Sequence, residues 1–362
     1  MKFKFEKFER KYNFQIPDSY KILVTELGDG YIIGNCEFYP TVDFLDNNLR
    51  LGGAMEVGLF PFGGLGNGDC FCFLKYGENL GEYYVVLWLN ETYNYVILNS
   101  TFDNFIYNCL IQEYKALLNP EEYMTEGTKE EYEECIDKIS TVSSLFDFEL
   151  DFINNQTDED SLNRLILYRD PYAVQLLCAA GKNMLEKDDT LARKLLEGAI
   201  SYAPDYTAPY YILGKHLLKT YKAQAVLLLF KGAQTPIASS GYSYWEEDEI
   251  GVPRSVMEEI FDIIIAHEEI LPDECKSSFY MDFIKQNKPY DDAFRFGLAQ
   301  KYLYNDDFEN AIKELNNVLI LTDDLKLKIK ILEMLIPVYE EVGLVWASGI
   351  CRKDIKYLKG LK

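Results

Sequence analysis

The stretch from Phe60 to Phe73 places the tightest limit on what this chain can become. Phe60, Pro61 and Phe62 run into Gly63, Gly64, Gly66 and Gly68, and Asp69 is followed by the alternating Phe71, Cys72 and Phe73. Glycine reaches φ > 0 without a Cβ penalty, so apolar runs on either side of such a cluster read as two strands joined by a turn. A strand has a period of two, which puts Phe71 and Phe73 on one face and Cys70 and Cys72 on the other. A phosphate-cradling loop does not fit. No lysine follows, the G-x-G-x-x-G spacing is absent, and a strand rather than a helix comes next. The turn is therefore expected to be structural, with Asp69 bonding to nearby backbone N–H groups.

The elements around this turn follow from local pattern. Phe5, Phe8 and Tyr12 recur at helical spacing, and Pro17, Asp18 and Ser19 open a second helix over about 18–27 with Tyr20, Leu23, Val24 and Leu27 as its apolar stripe. Short β-type runs succeed it at Tyr31 to Ile33, Glu37 to Tyr39, Leu59 to Phe62, Cys70 to Lys75, Tyr83 to Leu89 and Tyr93 to Leu98. Asn90, Glu91 and Thr92 predict a tight hairpin between the last two. Ser100 or Thr101 then caps a helix carrying Phe102, Phe105, Ile106, Cys109 and Leu110. The expectation for residues 1–120 is an α+β domain, a mainly antiparallel sheet flanked by helices.

Three of these motifs carry a resemblance: Ile16 to Tyr20 with the Leu27 to Gly30 helix end, Phe60 to Gly63 leading to Gly68, Asp69 and Phe71, and the closing Ser100 to Phe105 helix start. Together, in this order, the first 118 or so residues resemble the SUKH superfamily. That superfamily includes fungal cell-wall regulators and bacterial immunity proteins that neutralise polymorphic toxins, nucleases among them. The resemblance implies a protein that binds a toxin domain without doing chemistry, and Asp29, Asp69 and Trp88 on the sheet side are the expected contacts.

Beyond residue 120 the texture changes twice. Residues 121–163 hold 2 basic and 14 acidic side chains, so −12 of the formal −23 of the whole chain lies there. Tyr132, Ile136 and Ile139 keep some helical spacing, which predicts an acidic, partly helical connector. From 164 to 362 the chain reads as all-α. Ala192, Leu196, Ala199 and Pro204, then Tyr210, Leu213, Gly214 and Leu217 with Val226, Phe230 and Ala233, fit a 34-residue helix-pair frame, and Leu298, Ala299, Tyr302, Ala311, Leu315 and Val318 repeat it. These residues resemble the tetratricopeptide (TPR) family over about 171–238 and 291–358. The insert 235–290 breaks the frame and reads equally as a degenerate repeat or a separate helical hairpin. In a TPR groove the first helix of each unit faces inward, which would put Tyr211, Lys215, Lys219, Phe296, Gln300 and Tyr304 against a peptide.

Other chemistries find little support in the sequence. His216 and His267 are the only histidines and neither has a ligand partner at i+3 or i+4, so no metal or cofactor is expected. No nucleophile stands in a G-x-S-x-G elbow, and the chain is not expected to be an enzyme. The acidic balance repels nucleic acid and anionic membrane and favours a basic protein partner. The eight cysteines include no C-x-x-C pair and no run approaches a membrane span, which predicts reduced thiols in a cytoplasmic protein. The leading expectation is an immunity protein that neutralises a toxin with a basic surface, a nuclease being the natural case. The alternative is a cytoplasmic TPR scaffold or regulator, cell-wall regulation included, that holds a peptide in its groove.

Overall fold

The computed structural model describes residues 5–28, 30–39, 55–79, 82–117, 128–149, 159–240 and 254–360. Helices α1 (Phe5–Tyr12) and α2 (Asp18–Glu26) precede six strands, β1 (Ile32–Ile33), β2 (Cys36–Phe38), β3 (Leu59–Gly64), β4 (Cys70–Asn79), β5 (Glu82–Trp88) and β6 (Tyr95–Asn99). The strands form one antiparallel meander in sequence order. Pro61, which has no N–H to give to a ladder, stands at the register shift between β3 and β4. Helix α3 (Phe102–Leu117) closes this part, and α4 (Thr128–Phe146) packs along α3. The acidic segment is therefore not only a connector, since Val142 and Phe148 are buried in the main core.

The sheet is apolar on both faces, as the alternation along β4 requires. On one side Phe71 and Phe73 join Phe38, Phe60, Phe62, Val85 and Leu87 beneath α1, α2 and α3. The rings of Tyr20, Phe62, Phe73 and Phe102 meet there with centroids 4.4–5.8 Å apart, and Tyr20 donates its hydroxyl to the Tyr39 carbonyl at 2.6 Å. On the other side Cys70, Cys72, Leu74, Tyr84, Val86, Trp88, Tyr95 and Ile97 are buried, and among the described residues no strand or N-terminal helix covers them. Helices from the rest of the chain do so.

That part continues with α5 (Glu159–Arg169), α6 (Val174–Met184), α7 (Asp189–Tyr202), α8 (Thr207–Leu217) and α9 (Lys222–Ala233). After a 3₁₀ turn at Ile237–Ser240 come α10 (Arg254–Ala266), α11 (Asp273–Lys276), α12 (Phe279–Ile284), α13 (Asp292–Tyr304), α14 (Phe308–Leu321), α15 (Leu325–Glu341) and α16 (Val345–Gly360). Consecutive helices pair as hairpins, α6 with α7, α8 with α9, α13 with α14 and α15 with α16. Aspartates cap several of them. Asp188, Asp307 and Asp324 accept from Leu191, Asn310 and Lys326 N–H, and Asp291 from those of Ala293 and Phe294.

Close approach within the first two hairpins depends on glycine. A Cβ on Gly181 would lie 2.7 Å from Leu196 Cγ, and one on Gly214 equally close to Leu229 Cγ. These matched pairs set the structural repeat at 33 positions rather than the 34 expected from the sequence. The insert resolves as well: α10 packs on α9 and on α12, and α12 packs on α13, so it continues the helical stack and bridges its two halves.

The helical part contributes to both sides of the sheet. Helices α6 to α10 supply Val174, Leu177, Cys178, Ala199, Leu229 and Ile260 to the core behind β4–β6, whereas Leu315, Val318, Leu332, Leu335, Trp346 and Ile350 of α14 to α16 join the core with Phe60. Trp346 lies 5.8 Å from Phe60, and the Lys75 ammonium sits 5.0 Å over the Trp346 ring. Polar contacts lock the seam. Buried Asp170, between α5 and α6, accepts from Ser100 Oγ (2.6 Å), Ser100 N (2.9 Å) and Asn99 Nδ2 (3.2 Å), where β6 passes into α3. Tyr84 donates to the Tyr202 carbonyl at 2.7 Å and Asn94 to that of Ile237 at 2.6 Å.

Two predictions follow from this burial. Removing the Asp170 carboxylate leaves its buried donors unpaired, so Asp170→Ala should lose about 3 kcal/mol in urea unfolding; an unchanged midpoint would refute the seam's importance. Burial also pushes the thiols of Cys36, Cys72, Cys109 and Cys178 well up from their ordinary value of 9.0. The folded chain holds these protons while the unfolded chain releases them near pH 9, so their contribution is intact below about pH 9 and is lost as pH rises beyond it. Under reducing conditions stability should fall by up to about 1.4 kcal/mol per pH unit per thiol above pH 9, and denaturation midpoints at pH 7.5 and 10 check this.

Candidate binding cleft between sheet and helices

The residues expected to touch a partner are dispersed. Asp29 lies outside the described residues. Asp69 holds the two hairpin turns together: its carboxylate accepts from Asn90 N at 2.8 Å and from Asn67 Nδ2 at 2.9 Å, while its own N–H donates to Asn67 Oδ1 at 3.0 Å. Trp88 is a correction. It is fully buried on the sheet face covered by the helices, so it has no surface to offer a partner. It was expected as a contact on the sheet side, a face that a lone sheet would leave open.

Two of the expected groove residues are engaged within the chain. Tyr211 is buried and its hydroxyl donates to Glu259 of α10, and Lys215 donates to Tyr211 Oη at 2.8 Å and pairs with Glu259 Oε1 at 3.0 Å. The insert thus occupies the side of α8 where a peptide was expected. Lys219 lies past the end of α8 and is exposed, as is Gln300 on α13, and Tyr304 keeps 89% of its surface. The half-buried Phe296 carries the Lys330 ammonium 4.7 Å over its ring.

A cleft of about 610 Å³ opens instead where the two cores diverge. One wall is the covered face of the sheet, with Leu74 and Tyr84 paired across β4 and β5 and Tyr95 and Ile97 on β6. The facing wall is one stripe of α14, where Glu309, Ile312, Lys313 and Asn316 stand at i, i+3, i+4 and i+7 and so share a helix face. The α7–α8 turn, Tyr202 to Tyr206, lies between them, and Val342 and Leu344 come from the α15–α16 turn.

The lining is aromatic and aliphatic with an acidic excess. Glu56, Asp205 and Glu309 oppose a single ammonium, that of Lys313, which donates to the Gln234 carbonyl at 3.1 Å and lies 3.6 Å from Asp205. The tyrosine hydroxyls differ in their partners. Tyr84 donates to the Tyr202 carbonyl and Tyr206 to Gln175 Oε1 at 3.1 Å. Tyr95 is 3% exposed, and its hydroxyl makes no hydrogen bond among the described residues. Burial first, and then the charges of Glu56 and Asp205, push its pKa well up. Such a lining suits shape and charge complementarity to a group that is apolar along its length and cationic at its end. Among the described residues no cluster of three or more His, Cys, Asp or Glu side chains is placed to hold a metal ion, and no helix is long and apolar enough to cross a membrane.

Residues 4–108 match the SMI1 / KNR4 family (SUKH-1). The SUKH-1 segment takes in α1, α2, the whole sheet and the first half of α3, and stops short of the helical hairpins. No curated protein matches the chain. Of the cleft, the SUKH-1 segment supplies Glu56, Leu74, Tyr84, Tyr95 and Ile97, and the helical part supplies everything else.

Of the nine residues singled out from the sequence, none of the eight that are described lines this cleft. Its own residues come from segments that are remote along the chain, and only the α14 stripe carries a local signal, acidic, apolar, basic and amide residues on a single helix face. The glycine turn keeps its structural role. Gly68 holds φ +101°, and a Cβ there would meet Asn90 Nδ2 at 3.0 Å. Gly68→Val should therefore lose about 2 kcal/mol of stability through backbone strain, measured by urea unfolding; a fully stable variant would contradict that role.

Proposed function

We propose that this chain is an immunity protein: it binds a polymorphic bacterial toxin domain in the cytoplasm and neutralises it by occupying its active site, without turnover. The observation that carries this reading is the SUKH-1 match over residues 4–108 on a chain with a formal charge of −23. A nuclease toxin has a basic groove for its substrate, and an acidic protein competes for that groove by charge as well as by shape. Long-range attraction of this kind speeds encounter and is screened by salt, so association should be fast and salt-sensitive.

The scaffold reading rests on the helical hairpins and on the exposed Lys219, Gln300 and Tyr304 of α13 and the α8–α9 turn. It is weakened by the engagement of Tyr211 and Lys215 with Glu259, which fills part of the side a peptide would need. The two readings are separated with the full chain, since each core draws on both the sheet and the helices. Toxin domains encoded beside this gene are co-expressed with it and purified. A complex whose association rate falls at least about tenfold between low salt and 0.5 M salt is expected. Failure of every adjacent toxin domain to co-purify would sink the immunity reading.

A further inference from the structure

The cleft between β4–β6 and α14 holds two polar groups that the fold leaves unanswered. Tyr95, on the sheet wall, is 3% exposed, and its hydroxyl makes no hydrogen bond among the described residues. Asn316, on the helix wall, is 5% exposed; its Nδ2 donates to Tyr339 Oη at 3.0 Å, while the buried Oδ1 has no hydrogen-bond partner among the described residues. A buried acceptor without a donor carries a desolvation cost that an incoming N–H removes. The charges of the helix wall lie elsewhere. Glu309 and Asn316 are seven residues apart on α14, about 10 Å along the helix axis, and Glu309 is exposed at the mouth together with Asp205. Lys313 is already shared by Asp205 and the Gln234 carbonyl, and Glu56 is engaged within the chain. The space between is walled by Leu74, Tyr84, Ile97, Ile312 and Leu344. An apolar cleft with a neutral acceptor at depth and carboxylates at its mouth suits a planar apolar group that carries an N–H at its far end.

We infer that this cleft receives a tryptophan side chain from a basic loop of the protein partner, its indole lying against the apolar walls and its N–H donating to Asn316 Oδ1. The volume of about 610 Å³ exceeds what one indole fills, so the tip of the loop enters with it and its main chain reaches the Tyr95 hydroxyl. Basic side chains flanking the tryptophan then meet Asp205 and Glu309 at the mouth. A guanidinium suits the depth of the cleft less well, because taking a charge out of water beside a neutral amide costs more than burying a neutral ring. This rests on the toxin-binding reading for the identity of the partner, though not for the chemistry of the cleft. Charge thereby brings the partner in, and a neutral aromatic anchor holds it.

The test uses the full chain labelled with 3-fluorotyrosine and two probes of nearly the same shape, N-acetyl-tryptophan methylamide and its benzothienylalanine counterpart, in which sulfur replaces the indole N–H. The indole probe should shift the fluorine signal that disappears in Tyr95→Phe, saturably, and the benzothienyl probe should bind about tenfold more weakly. Asn316→Leu, close in size and checked for folding by near-UV circular dichroism, should bind both probes equally. Equal binding of the two probes by the unsubstituted chain, response to neither, or tighter binding of N-acetyl-arginine methylamide overturns the assignment, and none of these outcomes needs a variant that folds. A folded Asn316→Leu chain that still prefers the indole overturns it as well. The two readings fail separately. Indole-selective binding without any toxin complex removes the immunity reading and leaves the cleft. A toxin that binds Asn316→Leu as tightly as the unsubstituted chain removes the cleft and leaves immunity.

Discussion

A sheet that is apolar on both faces has to be covered twice, and the rest of this structure depends on how that is done. The aromatic cluster around Phe62, Phe73 and Phe102 covers one face with helices that are near in sequence. The other face, bearing Cys72, Tyr84, Val86, Trp88 and Ile97, finds its cover more than seventy residues further along the chain. Leaving those side chains in water would forfeit on the order of 1.5–3 kcal/mol for each large one, far more than a marginally stable domain can lose. The sheet and the helical hairpins are thus bound by necessity, and the buried Asp170 carboxylate fixes their register with directional bonds to Asn99 and Ser100.

The helical part follows from the same requirement. Glycine at positions 181 and 214 lets α7 and α9 lie close on α6 and α8, and α10 to α12 carry the stack onward to α13. A fully buried ion pair stands at that passage. Arg295 on α13 meets Glu314 on α14 at 2.6 Å, Asn317 donates to the same carboxylate at 3.1 Å, and Ile237 N–H reaches Asn317 Oδ1 at 2.9 Å. Such a pair contributes little net stability over apolar packing, but an error in placement would leave a charge buried alone, so it enforces one arrangement of the insert against α14. The final hairpin then reaches back to Phe60 through Trp346.

The cleft is a by-product of this wrapping. Helices α6 and α7 press on the rear of the sheet, α14 and the α15–α16 turn approach it from the other side, and space remains where they part. Its walls are rigid elements and its acidic groups sit at their ends, Asp205 in a turn and Glu309 in the first turn of a helix, where a carboxylate also favours the helix itself. The acidic composition of the chain accordingly has several roles at once: N-caps at Asp188, Asp291, Asp307 and Asp324, internal partners at Glu259 and Glu314, and the charge at the cleft.

Local rules determined a great deal here. The Pro17 and Asp18 helix start, the period-two alternation of Phe71 and Phe73, the Gly68 turn and the apolar stripe from Phe102 to Leu110 each reflect an interaction within a few residues, and all were legible in the sequence, as was the all-helical character beyond residue 164. The candidate site was not. Trp88 and Tyr211 read as surface positions, because nothing nearby in the chain announces that α6 to α8 will cover the first or that Glu259 will accept from the second. Tyr95, Asp205 and Glu309 belong to three unrelated local patterns and meet only when the helical stack closes on the sheet. Short-range periodicity and turn chemistry are written residue by residue, whereas a cleft built from distant segments exists only after long-range burial has chosen how those segments pack.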